Sequence, residues 1–142
     1  MKKLFVVFSL VAVMLLTGCE KGSNSEVVCT MKEESVGVTM DISFKLKFVS
    51  NNLDSAKFEM DAKLDDSIKA YASTFVSSLE SQFDNYESDY GVKVNTKETS
   101  DGAKIDFTMN QDTFKKLYGS SNFKSSKEDV IKSLEADGYT CK

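Results

Sequence analysis

The 142-residue chain has no histidine, no proline and no tryptophan, and all 18 of its basic residues are lysine, so it has no arginine either. Each absence removes a chemistry. Without histidine there is no imidazole base, no Ser-His or Cys-His nucleophile pair and no usual zinc ligand set. Without arginine there is no planar fork to clamp a phosphate or carboxylate through two parallel hydrogen bonds. The sequence also contains no phosphate-binding glycine loop and no Gly-x-Ser-x-Gly turn. A nucleophilic serine would have to rely on a lysine base, and no motif arranges one. The expectation is a non-enzymatic protein with no cofactor and no metal. The length fits one domain.

What is present begins with an address. Lys2 and Lys3 precede an apolar run, residues 4–16, broken only by Ser9. The run is too short for a stable transmembrane span and has the flanks of a secretion signal. It ends in Leu16-Thr17-Gly18-Cys19, which resembles the lipobox of bacterial lipoproteins. That resemblance implies cleavage before Cys19 and a diacylglycerol on its sulfur. Acyl chains of the palmitate type would then anchor the protein to the extracytoplasmic face of the cell membrane. Two chains hold more firmly than one, since each buried methylene adds ~0.8 kcal/mol. The alternative is an ordinary signal with a chance cysteine. Residues 1–18 are therefore read as signal peptide, residues 19–26 as lipidated cysteine and polar flexible tether, and residues 27–142 as one domain. Losing Lys2 and Lys3 with the signal moves the net charge from −4 to −6. An acidic, arginine-free surface argues against nucleic acid as a partner. The expected partners are the bilayer, through Cys19, and an unidentified protein or small apolar ligand.

Of the three cysteines, assigning Cys19 to lipid leaves Cys29 and Cys141. An even remainder in an exported protein reads as one disulfide, with two free thiols as the alternative. The bridge would tie the first strand of the domain to its last residues.

Alternation marks the strands. Residues 27–33 form a short strand candidate. From Val38 to Phe48 every second residue is apolar, with Thr39, Asp41, Ser43, Lys45 and Lys47 between. Ala56, Phe58, Met60, Ala62 and Leu64 repeat the pattern, so both segments should have one buried and one wet face. A two-residue loop at Asn51-Asn52 would mix those faces. Cross-strand charge pairs favour Leu46 opposite Phe58, with a loop around residues 51–53. Asp65 and Asp66 are helix-cap candidates. Ile68, Tyr71, Ala72, Phe75, Leu79, Phe83, Tyr86 and Tyr90 then follow at helical spacing. They predict an amphipathic helix of about six turns ending at Gly91. Residues 92–99 and 104–109 predict a hairpin turning at Asp101-Gly102, with Thr96 opposite Phe107. Short helices follow at residues 112–118 and from Ser126, capped in part by Asp129, and residues 139–142 return as an edge strand. The fold class is α+β: an antiparallel sheet of two hairpins plus edge strands, with one long and two short helices on one face.

Two candidate sites remain. The aromatic side chains of Tyr71, Phe75, Phe83 and Tyr86 either fill the core, as helically spaced rings usually do, or line an apolar pocket for a lipid or other small molecule. The acidic run from Asp84 to Asp89 offers oxygens to a cation but lacks EF-hand spacing, and reads more simply as a solvated helix face.

The lipobox, the two hairpins around one long helix, Phe-Lys-Lys-Leu-Tyr-Gly at residues 114–119 and Val-Ile-Lys-Ser-Leu-Glu-Ala-Asp-Gly-Tyr at residues 130–139 together resemble the YehR-like small bacterial lipoproteins. The resemblance implies an exported α+β lipoprotein. It implies no activity and transfers no binding residues.

Overall fold

The computed structural model describes residues 23–119 and 123–142. Six strands, β1 (Asn24–Ser35), β2 (Val38–Val49), β3 (Asn52–Leu64), β4 (Asn95–Glu98), β5 (Gly102–Asn110) and β6 (Thr140–Cys141), make one sheet in the order β4-β5-β3-β2-β1-β6. Every pairing is antiparallel. Between β3 and β4 come a 3-10 turn (Lys69–Tyr71), α1 (Ala72–Phe83) and α2 (Tyr86–Tyr90). Between β5 and β6 come α3 (Gln111–Tyr118) and α4 (Lys127–Ala136). The fold is the expected α+β layer. Its core lies between the helices and one row-patterned face of the sheet. Cys29, Phe44, Phe58 and Phe107 stand opposite one another across β1, β2, β3 and β5, and all four are buried.

Several boundaries differ from the expectation. Strand β1 begins at Asn24, inside the segment read as tether, because Asn24, Ser25 and Glu26 pair with Val49, Phe48 and Lys47. Backbone hydrogen bonding needs no apolar side chain there.

The β2–β3 register is not the one the charges favoured. Phe44 faces Phe58 and Leu46 faces Ala56, which sets Lys45 opposite Lys57 and Asp41 opposite Asp61. The turn is two residues, Ser50 and Asn51, both with left-handed backbone (φ 49° and 68°). Such a turn suits the right-handed twist of a hairpin. A bulge beyond Phe48 and Leu53 admits Asp54 as an extra residue, and this restores the apolar faces that a two-residue turn would otherwise mix. Cross-strand charge pairs are worth only a few tenths of a kcal/mol and yield to turn geometry and core packing.

The long helix is also interrupted. Asp65 and Asp66 do not cap it; the cap positions are Ile68 and Tyr71, and neither gives a side-chain hydrogen bond. The Asp65 N–H instead donates to Gly37 O (2.8 Å), and Asp65 O accepts from Ile68 N (2.9 Å). These bonds turn the chain at the end of β3 before any helix starts. Helix α1 ends at Phe83 and α2 resumes at Tyr86, closing on Gly91 with φ 69° as the sequence required. The buried stripe of α1 runs through Val76 and Leu79.

In the second hairpin Thr96 faces Ile105 and Asn95 faces Asp106, two residues out of the expected register. The turn is Ser100-Asp101, and Gly102 is a strand residue facing Lys63. A Cβ at Gly102 would overlap the Ala62 carbonyl oxygen, so this glycine serves strand contact rather than the turn. The last two helices start as expected. Asn110 accepts from Thr113 N (2.9 Å), and Ser126 accepts from Asp129 N (3.3 Å) while donating to the Asp129 carboxylate.

Candidate functional site

Cys19 and residues 1–18 lie outside the described residues, as do residues 20–22 of the tether. The other two cysteines are joined. Cys29 and Cys141 form a disulfide across β1 and β6, where they are direct partners with Cα atoms 4.0 Å apart. Val28 and Lys142 beside them exchange two 2.9 Å backbone hydrogen bonds. Bridge and ladder together hold the two-residue edge strand.

The four aromatic side chains proposed for a pocket are not one lining. Tyr71 is 66% exposed, and about twelve residues of helix, roughly 18 Å, separate it from Phe83. Phe75 is half-buried against the core. Phe83 and Tyr86 pack edge-to-face on each other (4.9 Å) and lie 6.1 and 5.9 Å from the Phe107 ring, so they fill the interior. Phe83 also opens onto a crevice of about 310 Å3 rimmed by Glu80, Asp84 and Glu87. Those acids and Asp89 point to solvent. Among the described residues no three cysteine or carboxylate side chains converge enough to share an ion.

The larger concavity lies on the sheet face away from the helices. Thr30, Ser43, Glu59 and Asp106 form one cross-strand row, and Lys32, Asp41, Asp61 and Lys104 the next. These two rows line an open trough of about 720 Å3. The sequence marked Asp41, Ser43, Glu59 and Asp61 as outward-facing but held no signal for the pairing that gathers the eight. The charges are largely answered within the face. Glu59 bridges Lys45 (2.7 Å) and Lys57 (2.8 Å), and Asp61 meets Lys104 (3.2 Å). Asn95 donates to Asp106 (3.2 Å). Glu59 thus separates the two lysines that the register sets face to face, and Lys104 offsets the Asp41–Asp61 pair. The trough offers ammonium, carboxylate and hydroxyl groups side by side.

The hydrogen bonds from Lys45 and then Lys57 hold the Glu59 carboxyl below its ordinary 4.5. A lowered folded-state value means stabilisation that is present above the unfolded value and drains away as pH falls through the folded one. Glu59→Gln should therefore lower stability at pH 7 by about 0.2–1 kcal/mol, as half-exposed ion pairs do. The gap from wild type should close as the pH drops below 4.5 and shrink with added salt. Urea titrations at pH 7 and pH 3 check this, and a gap independent of pH would assign the effect to packing. Burial raises the pKa values of the Tyr118 and Tyr139 hydroxyls, in keeping with the packing of both rings on Phe44, edge-on for Tyr118 and tilted for Tyr139.

No protein-family model matches the sequence, and no curated protein does. Solved structures do match. The YehR protein of E. coli, determined by NMR, superposes with a TM-score of 0.58 over 84% of this chain and 92% of that one, at 12% identity. The chain is similar in fold to YehR. A protein from Streptococcus pneumoniae TIGR4, also determined by NMR, gives a TM-score of 0.50 over 88% of each chain, again at 12% identity. At such identity the likeness to YehR is one of fold, and it agrees with the resemblance drawn from element order and spacing.

Proposed function

We propose that the chain is a YehR-like lipoprotein, trimmed before Cys19, acylated there and displayed at the extracytoplasmic face of the cell membrane as a non-enzymatic binding or structural module. The observation that supports this most is the fate of the cysteines. Cys29 and Cys141 take each other, a pairing suited to an oxidising compartment outside the cytoplasm. Cys19 is left at the end of a secretion signal, in a lipobox. No helix of the described residues is long and apolar enough to cross a membrane, and an acylated Cys19 supplies attachment without one. A module that recognises partners, rather than a carrier, is favoured by the way Phe83 and Tyr86 occupy the space beneath α1 and α2.

Metabolic labelling with an alkynyl fatty acid tests the anchor. Wild-type protein should take the label and fractionate with membranes, and Cys19→Ala should take none. An unlabelled wild-type chain, or a labelled Cys19→Ala variant, would overturn the reading.

A further inference from the structure

The sheet has two distinct ends. At one, the start of β1 meets the β2–β3 turn and the start of α4. Asn24 pairs with Val49, Asn52 bridges to Ser126, and Lys127 N donates to Asn51 O (2.9 Å). Leu53 N donates to Ser125 O (2.8 Å), and Lys127 Nζ reaches Ser25 Oγ (3.2 Å). These bonds make one rigid surface around the point where the domain joins its tether. At the other end, the β1–β2 turn packs on Ile68 through Gly37 and leaves Val36 fully exposed at 99%. Twelve residues of β1 separate the ends, roughly 40 Å at 3.3 Å per residue.

Resting on the acyl-anchor reading above, we infer that the end formed by Asn24, Ser50, Asn51 and Lys127 seats on lipid headgroups, so that the domain stands with Val36 and Tyr71 facing away from the bilayer. Only five residue steps separate Cys19 from Asn24, a reach of at most ~18 Å fully extended. That reach keeps this end within ~18 Å of the anchor, too short for a domain whose ends lie roughly 40 Å apart to invert. The surface chemistry agrees. Ser50, Asn51 and Asn52 are exposed hydrogen-bonding side chains, with Lys47 and Lys124 exposed nearby and Glu26, Asp54 and Glu128 as neighbouring acids. Such a mixed, small-residue surface suits polar headgroups and does not insert among acyl chains. Lying on the α1–α2 side would instead press Glu80, Asp84 and Glu87 toward the negative surface of an anionic membrane.

The test uses the full lipidated protein in vesicles of phosphatidylcholine and phosphatidylglycerol that carry a short-range quencher on the headgroups. A fluorophore is placed at Asn51→Cys or at Val36→Cys, both exposed positions, with the disulfide intact. The inference expects several-fold stronger quenching at Asn51→Cys than at Val36→Cys. Equal or reversed quenching in protein that floats with the vesicles would overturn the orientation and leave the anchor standing. Acylated-strain protein that fails to float would overturn the anchor, and this inference with it.

Discussion

Replacing Phe44 by alanine should cost about 3–5 kcal/mol, the usual range for deleting a fully buried aromatic ring. Phe44 is 0% exposed and sits where sheet and helices meet. Its ring lies 5.3 Å from Phe58 in β3, 5.9 Å from Phe114 and 5.0 Å from Tyr118 in α3, and 5.4 Å from Tyr139 ahead of β6. The substitution therefore removes apolar contact from the sheet, from α3 and from the C-terminal segment together. Domains of this size have only about 5–15 kcal/mol in total, so the variant should be near the limit of folding. A shifted urea midpoint at unchanged slope measures it. Tyr71→Ala serves as the contrast, since an exposed ring should change stability by no more than about 0.5 kcal/mol. A loss below about 1.5 kcal/mol for Phe44→Ala would show that the neighbouring rings collapse into the space.

Removing the disulfide should be nearly as costly. The bridge closes a separation of 112 residues. The chain-entropy model gives about 4.7 kcal/mol for a loop near 100 residues, and measured losses run about 2–5 kcal/mol. The native state also has little else to hold β6, a two-residue strand paired only with β1. Substituting Cys29 and Cys141 together by alanine should lower the thermal midpoint by at least several degrees. The Lys142 amide, which donates to Val28 O, should exchange with solvent faster. Helix α4 should remain, because Val130 and Leu134 are buried in the core. A midpoint equal to that of the oxidised wild type would show that the bridge contributes nothing to the fold.

The sequence by itself determined the element order, the α+β class and which face of β2, β3 and β5 is buried, because side-chain direction alternates locally and needs no knowledge of partners. It also determined the cap at Ser126 and the helix stop at Gly91, since both depend on residues within a turn of each other. The cysteine count pointed to the Cys29–Cys141 pair. The tertiary structure alone decided the registers. A bulge admitting Asp54 allowed a tight turn at Ser50-Asn51 that strict parity forbids, and Gly102 had to pass close to Ala62 in a strand more than 35 positions away in sequence. It decided that Asp65 would bond to the β1–β2 turn rather than cap a helix, and that Phe83 and Tyr86 would rest on Phe107 while Tyr71 stayed in solvent. The trough on the open face was invisible for the same reason. Its residues come from four strands, and only their long-range pairing sets Glu59 between Lys45 and Lys57. Local periodicity fixes which way a side chain points; what it then meets depends on contacts between segments distant in sequence, where a few tenths of a kcal/mol of charge pairing yields to turn geometry and packing.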